Sequence, residues 1–530
     1  MRRTFGTIIA ALLAVIVGAT SGFAQKPGGV LKVVHADSPA SMSILEEATI
    51  TAEGPMMAVF NNLVLYDQHV PQNSPNSIVP ELATGWSWSE DRTALTFPLR
   101  QGVKWHDGKP FTAADVKCTW DMLTGKSNER LRLNPRKSWY RNLDAVTTAG
   151  DYEVTFHLKR PQPSFLALLA SGWSPVYPCH VPPAQMRQHP IGTGPFKFIE
   201  FKPNESIKLT KNLDYWKADR PYLDGIEYTI IKNLSTMILA LGAGQFDRMG
   251  PGFIAVPVLK EVKTVAPGLQ CDIVPWSSSR TLMINRAVPP FDNIDLRRAI
   301  ALSLDRKAFV DIISDGQGAI SGSMMPPPEG VWGMPPEVLA TLPSYGPDVA
   351  ENRAQARAIM GKLGYGPDHR LAVTLSARNV AAYRDPAVIA ASQLKEIYID
   401  ATLDLVDTAV WYPKVTRKDY TVALSVGENG LDDPDQQFYE NYVCGSDRNY
   451  TGFCEPQVDA LIDKQSAEPD TDTRRKLVWE IERKLAEDAG RSTIFYPRHV
   501  NCYQPYVKGL TAMVNSAYNG WRMEDVWLDK

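Results

Sequence analysis

Pro80-Glu-Leu-Ala-Thr-Gly-Trp86, followed by Leu95-Thr-Phe97, Leu99-Arg100 and Gly102-Val-Lys-Trp-His-Asp-Gly-Lys-Pro-Phe-Thr-Ala-Ala-Asp-Val116, passes from strand to turn to helix in one short span. Leu95, Phe97 and Leu99 alternate with less apolar neighbours, the period of a half-buried strand. Asp107-Gly108 and Lys109-Pro110 are turn residues: glycine accepts a positive φ, and proline presets its own. Thr112-Ala-Ala-Asp115 has capping-box form, in which the hydroxyl and the carboxylate each take an amide that the first helical turn leaves open. Val116 and Trp120 then fall on one helical face.

The same alternation of element types extends in both directions. Val30 to His35 is a short β-rich run, and residues 43–60 form a polar, helix-compatible stretch. Tyr152, Val154, Phe156 and Leu158 alternate as a strand. Phe196-Lys-Phe198, Ile207-Lys-Leu209 and Ile226 to Ile231 are further strands separated by turns. Asn293 opens a helix with Leu296, Ile300 and Leu304 on one face. Another runs from Glu351 to Leu363 and stops at Gly364. Pro456 to Gln465 is helical, with Val458, Leu461 and Ile462 inward. Asp472 is placed to cap a last helix carrying Leu477, Ile481 and Leu485. Strands and helices interleave throughout, so the class is α/β. No repeat, low-complexity tract or long flexible linker interrupts the chain, so its domains are joined by short crossings.

The composition excludes several classes. Of 530 residues, 44% are hydrophobic, too many for a disordered chain. Lys+Arg number 56 against 59 Asp+Glu, a formal charge of -3; a nucleic-acid binder or polybasic membrane-surface protein carries a basic excess. Arg2 and Arg3, the apolar run from Ile8 to Gly18 and the small residues around Gly22-Phe23-Ala24 form a secretory signal, with cleavage expected after Ala24. The run is short of the ~20 residues a membrane span needs, and no cysteine adjoins the cut to carry a lipid anchor. The mature protein is therefore expected to be exported and soluble.

Export changes the reading of Cys118, Cys179, Cys271, Cys444, Cys454 and Cys502. None has the C-x-x-C spacing of a zinc ribbon or thioredoxin-type site. Cys444 and Cys454 flank a short polar stretch that an oxidising compartment would close as a disulfide, stabilising by ~2–3 kcal/mol. The other four have no assignable partners; the sequence leaves their redox state open, with buried thiols as one reading.

Catalytic and metal motifs are absent. There is no His-Glu-x-x-His and no Gly-x-Ser-x-Gly. His106-Asp107 lies among turn residues and reads as structure rather than as an acid–base pair. Gly125-Lys126-Ser127 ends like a phosphate loop, but Trp120 stands where that loop needs glycine. Gly192-Thr-Gly-Pro-Phe196 leads into a strand, whereas a phosphate cradle needs helix amides. Asp432-Asp433-Pro434-Asp435 lacks the ligand spacing and glycine of a calcium loop. No cofactor, metal or catalytic residue is assigned.

The ordered blocks together carry a resemblance. The opening stretch, Gly192-Thr-Gly-Pro-Phe-Lys-Phe198, Asn212 to Trp216, Pro221-Tyr-Leu-Asp-Gly-Ile226, Pro290-Phe291, Leu296 to Arg306 and Asn449-Tyr-Thr-Gly-Phe453 resemble the family 5 extracellular solute-binding proteins of peptide and nickel ABC transporters, the dipeptide- and oligopeptide-binding type. The resemblance covers nearly all of the expected mature chain. It implies a two-lobe periplasmic-binding-protein (Venus flytrap) fold with an extra subdomain, mixed sheets flanked by helices. Lobe I would comprise 25–66, 180–281 and 497–530, the extra subdomain 67–179, and lobe II 282–496. It implies a monomer in the periplasm, no enzyme, that captures a peptide or another small molecule between its lobes and delivers it to permease subunits.

Peptide-binding members hold the ligand ammonium with an acid in a Trp-x-x-Asp segment. Here that segment is Val426-Gly-Glu-Asn-Gly-Leu-Asp-Asp-Pro-Asp435, without the Trp, and Glu428 or Asp432 stands near the acidic position. Arg378 falls near an arginine that grips the ligand carboxylate in some members. Trp411 and Tyr412 are candidates to stack on ligand. The Cys444–Cys454 pair matches a disulfide of dipeptide-type members. The altered acidic segment leaves open a non-peptide solute: a nickel chelate, opine, sugar or aromatic compound. A secreted hydrolase, or a chemoreceptor or chaperone accessory, is the alternative of another kind.

Overall fold

Leu31, Val33 and Val34 bury their side chains on both faces of the Val30–His35 strand, which suits the centre of a sheet rather than an edge. In the computed structural model, which describes residues 25–250, 254–428 and 430–530, that strand lies within an eight-stranded sheet. Gly225–Ile230 and Arg248–Met249 pair with it in parallel, one on each side. Ser206–Lys211 and Phe196–Lys202 continue one flank antiparallel. Arg498–Tyr503 continues the other, and also pairs with Ile254–Ala255 and Gln270–Pro275. Both ends of the chain thus contribute to one sheet.

The second sheet has five strands, in the order Ile399–Val406, Leu371–Arg378, Val422–Glu428, Ser278–Ile284 and Arg491–Phe495. The first three run parallel and the last two join antiparallel. Helices Ile294–Ser303, Val349–Lys362 and Ala381–Lys395 cover it and share its own apolar core. The chain passes between the two sheets at Trp276-Ser277 and at Tyr496-Pro497, each a two-residue link between consecutive strands.

A four-stranded antiparallel sheet, Ser87–Trp88, Ala94–Pro98, Glu153–Leu158 and Leu143–Thr148, projects from the first. The Ala113–Thr124 helix packs on it, with the Trp120 ring edge-on to Phe156 at 5.0 Å. Its apolar residues are continuous with those of the eight-stranded sheet. The expected capping box is present, Thr112 and Asp115 each meeting the other's backbone. Gly192 and Gly194 precede the Phe196–Lys202 strand where the Val59 backbone passes so closely that a Cβ would stand 1.9 Å and 2.5 Å from it. They are a packing turn, as their position before a strand suggests.

Local details differ from the sequence expectations. Within 43–60, only Ile50–Met56 is helical; Gly54 and Pro55 weaken continuation of the helix. Asp470, not Asp472, caps the Thr471–Asp488 helix, its side chain accepting from the Thr473 amide. The signal segment and its cleavage after Ala24 lie outside the described residues.

The cysteines require a larger correction. Cys444–Cys454 is bonded as expected, but Cys118–Cys179 and Cys271–Cys502 are disulfides too, not buried thiols. Cys271 and Cys502 face each other on antiparallel strands although 231 residues apart. Cys118 sits on the helix whose Asp115 accepts the Cys179 amide. Neither pairing has a local signature; sheet register and loop docking create both.

Two measurements test this packing. Replacing Cys118 and Cys179 together by serine should lower unfolding free energy by about 2–4 kcal/mol, read by linear extrapolation of urea unfolding with the m-value, which should rise as the unfolded chain loses its crosslink, fitted for each protein. The second concerns Glu482, which is 3% exposed and accepts from the Ser323 hydroxyl and the Met324 amide. Burial pushes its carboxyl up to about 7, so the folded chain retains a proton that the unfolded chain releases near 4.5. The stability it contributes is fully present below about pH 4.5 and is lost as pH rises through 7. Relative to Glu482→Gln, wild type should lose up to about 3 kcal/mol between these limits in urea titrations at stepped pH.

Candidate functional site

The carboxyl ends of the parallel strands in the two sheets face each other. Ligands of open α/β sheets bind in crevices beyond such ends. Asp37, two residues past the Val30–His35 strand, accepts Nη2 of Arg378 at 2.7 Å; Arg378 ends the Leu371–Arg378 strand of the other sheet. The same Asp37 oxygen accepts the Thr408 hydroxyl. Arg378 Nε donates to Thr408 Oγ1 and Nη1 to the Tyr383 hydroxyl, both at 2.8 Å, and the Tyr383 ring lies 4.4 Å from the guanidinium. Both charged side chains are buried. The pair is an interlobe latch from which water is excluded.

The acidic cluster supplies a second seam. Asp433 holds Arg474 through two 2.8 Å bonds. Fully buried Asp435 accepts from Gln162 and Ser164 of the projecting segment, as well as from Gln465 and Ser466. Arg160 reaches Asp463 at 2.7 Å and the Tyr439 hydroxyl at 2.8 Å. Asp435 and Asp463 thus bind side chains across the seam, while Asp433 pairs within its own lobe. Among the described residues there is no group of three or more His, Cys, Asp or Glu able to hold a metal.

A cavity of about 400 Å³ opens beside the latch, with walls from 40–48, 122–137, 408–416 and 447–450. Its volume is within the range of small-solute sites. Glu47, Arg132 and Asp447 give it charge of both signs, while Thr408 and Tyr412 bring in the second lobe. A smaller space of about 60 Å³ lies at the links between the sheets, lined by Trp276, Arg280, Ala382 and His499 among others. Arg280 Nε donates to the Ala382 carbonyl at 2.7 Å, and its guanidinium lies 5.2 Å from the Tyr383 ring.

The residues selected from sequence fall in different places. The Glu428 backbone ends its strand opposite Ser278, beside the links; its side chain is outside the described residues. Asp432 is half-buried, accepts the Val331 amide at 2.9 Å, and has its carboxyl pushed up to about 7 by burial. Arg378 is on the seam, but its fork already grips Asp37, Thr408 and Tyr383; a ligand carboxylate would have to displace Asp37. Trp411 packs among Met283, Val415 and Ala423 at 1% exposure, a core position with no face for stacking on ligand. Tyr412 lines the larger cavity. His106 bridges two turns, taking the Gly192 amide on Nδ1 and donating from Nε2 to the Gly194 carbonyl at 3.0 Å.

Asp37, Thr408, Arg280 and His499 stand in no motif that would mark them from sequence. Asp37 and Arg378 are 341 residues apart, and only the docking of the lobes joins them.

Comparison with known proteins places this geometry. The family model for bacterial extracellular solute-binding proteins, family 5 Middle, matches residues 77–449. The chain is a family 5 extracellular solute-binding protein. The oligopeptide-binding protein AppA of Bacillus subtilis (strain 168) is 26% identical over 433 residues, 77% of this chain and 76% of AppA. Among solved structures, the periplasmic binding protein DppA of Helicobacter pylori with the peptide STSA superposes with TM-score 0.82 at 22% identity, over 95% of this chain and 99% of DppA. AgaA from A. tumefacien R10, in complex with agropinic acid, superposes with TM-score 0.80 at 24% identity, over 95% and 99%. The family 5 protein thus has the two-lobe periplasmic-binding-protein fold.

The latch gives a direct test. Asp37→Asn strands a buried guanidinium and should cost about 3 kcal/mol of unfolding free energy. Asp37→Leu combined with Arg378→Met should cost clearly less, because no uncompensated charge remains. Urea unfolding of Asp37→Asn, Asp37→Leu, Arg378→Met and the double variant measures the difference, the last three with wild type forming the double-mutant cycle.

Proposed function

We propose that this protein is the periplasmic substrate-binding component of an ABC importer, capturing peptides or peptide-like solutes between its lobes and delivering them to membrane permease subunits. The observation that carries the proposal is the seam itself. In a family 5 chain, strand ends from two sheets meet through a buried ion pair next to a cavity large enough for a small solute. An open form without the Asp37–Arg378 contact would admit solute and water. Closure would bury the solute, restore the latch and present the closed face to the permease. Its lobes are assigned to 25–66, 180–281 and 497–530, and to 282–496, with 67–179 as an extra subdomain. It acts as a monomer after cleavage of the signal at Ala24, and it binds without chemical turnover.

The altered acidic segment supports a second reading, a non-peptide solute held by the same fold; the agropinic acid bound by AgaA is a precedent within the fold. The experiment is a thermal-shift and calorimetric screen of refolded, ligand-free protein against di- to pentapeptides. A peptide at about a hundred times its Kd should stabilise by roughly 2.7 kcal/mol, which raises the midpoint by a few degrees. X-ray scattering should show a smaller radius of gyration on binding. A flat response to every peptide would sink the peptide assignment, and mass spectrometry of co-purified solute would then identify the non-peptide cargo.

A further inference from the structure

Arg248 is a buried cation with no anion among the described residues. Its strand, Arg248–Met249, ends beside the Val30–His35 strand, at the edge of the sheet that faces the other lobe. The side chain is 3% exposed, yet no carboxylate pairs with it among the described residues. Nε donates to the Met249 carbonyl at 3.2 Å and Nη2 to Asn501 Oδ1 at 3.4 Å, and Nη1 makes no hydrogen bond to a described residue. The Trp521 ring lies 5.2 Å away.

The surroundings repeat the pattern. Along Arg498–Tyr503, Val500 and Cys502 enter an apolar core, so His499 and Asn501 share the opposite face with Arg248. Buried His499 packs edge-on to Trp276 at 4.3 Å, and its Nδ1 has no hydrogen-bond partner among the described residues. The buried Tyr228 hydroxyl has none among them either, and the Tyr228 ring meets His35. Burial pushes His35 down to about 4 and His499 down to about 3, with the Arg248 charge adding to both shifts. At neutral pH both imidazoles are uncharged, so Arg248 carries the charge of the group. Nearby carboxylates are engaged elsewhere: Asp37 with Arg378, and Asp247 with the Lys32 amide, Tyr506 and Lys530. Arg280, which shares the small space with His499, is a second buried guanidinium that, among the described residues, is held by carbonyls, of Ala382 and Ser278, and an aromatic ring. Buried charges are normally paired, because desolvation without a counter-charge is costly. A guanidinium presents a planar fork that matches a carboxylate.

We propose that Arg248, framed by His35, Tyr228, His499 and Trp521, is the receptor for a carboxylate carried by the solute in addition to its terminal groups, so that acidic peptides are the preferred cargo. The inference rests on the peptide reading for its cargo and on the site alone for its chemistry. The test uses the full exported chain and its Arg248→Met and Arg248→Lys variants, titrated calorimetrically with Ala-Glu, Ala-Gln, glutarate and N-acetylglutamate. Wild type should bind Ala-Glu about 30-fold more tightly than Ala-Gln, the size expected of a hydrogen bond to a charged group. Arg248→Met should abolish that ratio while keeping Ala-Gln within about 3-fold, and Arg248→Lys should restore part of it. Arg248→Met should also raise the ligand-free thermal midpoint, whereas loss of a purely structural arginine lowers it. Equal affinities for Ala-Glu and Ala-Gln in wild type, or an unchanged ratio in Arg248→Met, overturns the carboxylate receptor and leaves the peptide reading standing. Binding of glutarate or N-acetylglutamate that depends on Arg248, with both dipeptides silent, supports the receptor and overturns acidic peptides as its cargo. Silence of every probe overturns the carboxylate receptor.

Discussion

The contact between Asp37 and Arg378 organises the rest of the molecule. Each sheet buries most of its apolar surface in its own core, and few apolar side chains, Leu431 and Ala48 among them, cross from one to the other, so burial alone sets their mutual orientation only loosely. A charged pair removed from water is strongly directional, and it tolerates neither displacement nor loss of a partner. Placing it at the carboxyl ends of two parallel strands fixes the lobes where their loops meet. Thr408 and Tyr383 complete the hydrogen bonding of the guanidinium, so the interface is specified by geometry more than by area.

The projecting four-stranded segment adds an independent constraint. Its Gln162 and Ser164 reach Asp435, and its Arg160 reaches Asp463, so it touches the second lobe while sharing the core of the first. It is therefore an arm of the first lobe that is hydrogen-bonded to the second. Asp433 and Asp435, which as a bare sequence resemble a cation site, take their counter-charge from Arg474.

Much of this architecture is legible in the sequence because it is local. The Thr112–Asp115 box, the alternation through Leu95 and Phe97, and the paired glycines before Phe196 each state their structure within a few residues. Arg378 could be placed near the cleft, and Tyr412 does line the larger cavity. Trp411 could not be sorted, because a tryptophan one position from a cavity-lining tyrosine looks the same in sequence whether it faces core or ligand. Asp37, Arg248 and the Cys118–Cys179 and Cys271–Cys502 bonds were illegible for a stricter reason. Their significance comes from partners brought in by sheet register or lobe docking, for which the chain carries no local mark.

Cys271 and Cys502 lie on the two strands that lead through the sheet links, one approaching Trp276-Ser277 and the other leaving Tyr496-Pro497. Their covalent rung fastens those strands to each other on the near side of both links. On the far side, Ser278–Ile284 and Arg491–Phe495 are neighbours in the second sheet. Any bending between the sheets would thereby fall on two adjacent dipeptides between stiff leaves, something close to a single degree of freedom. In the proposed capture cycle, a trap with one such coordinate would shut along the same arc whatever lay inside it, and its closed outline would be the same for every cargo.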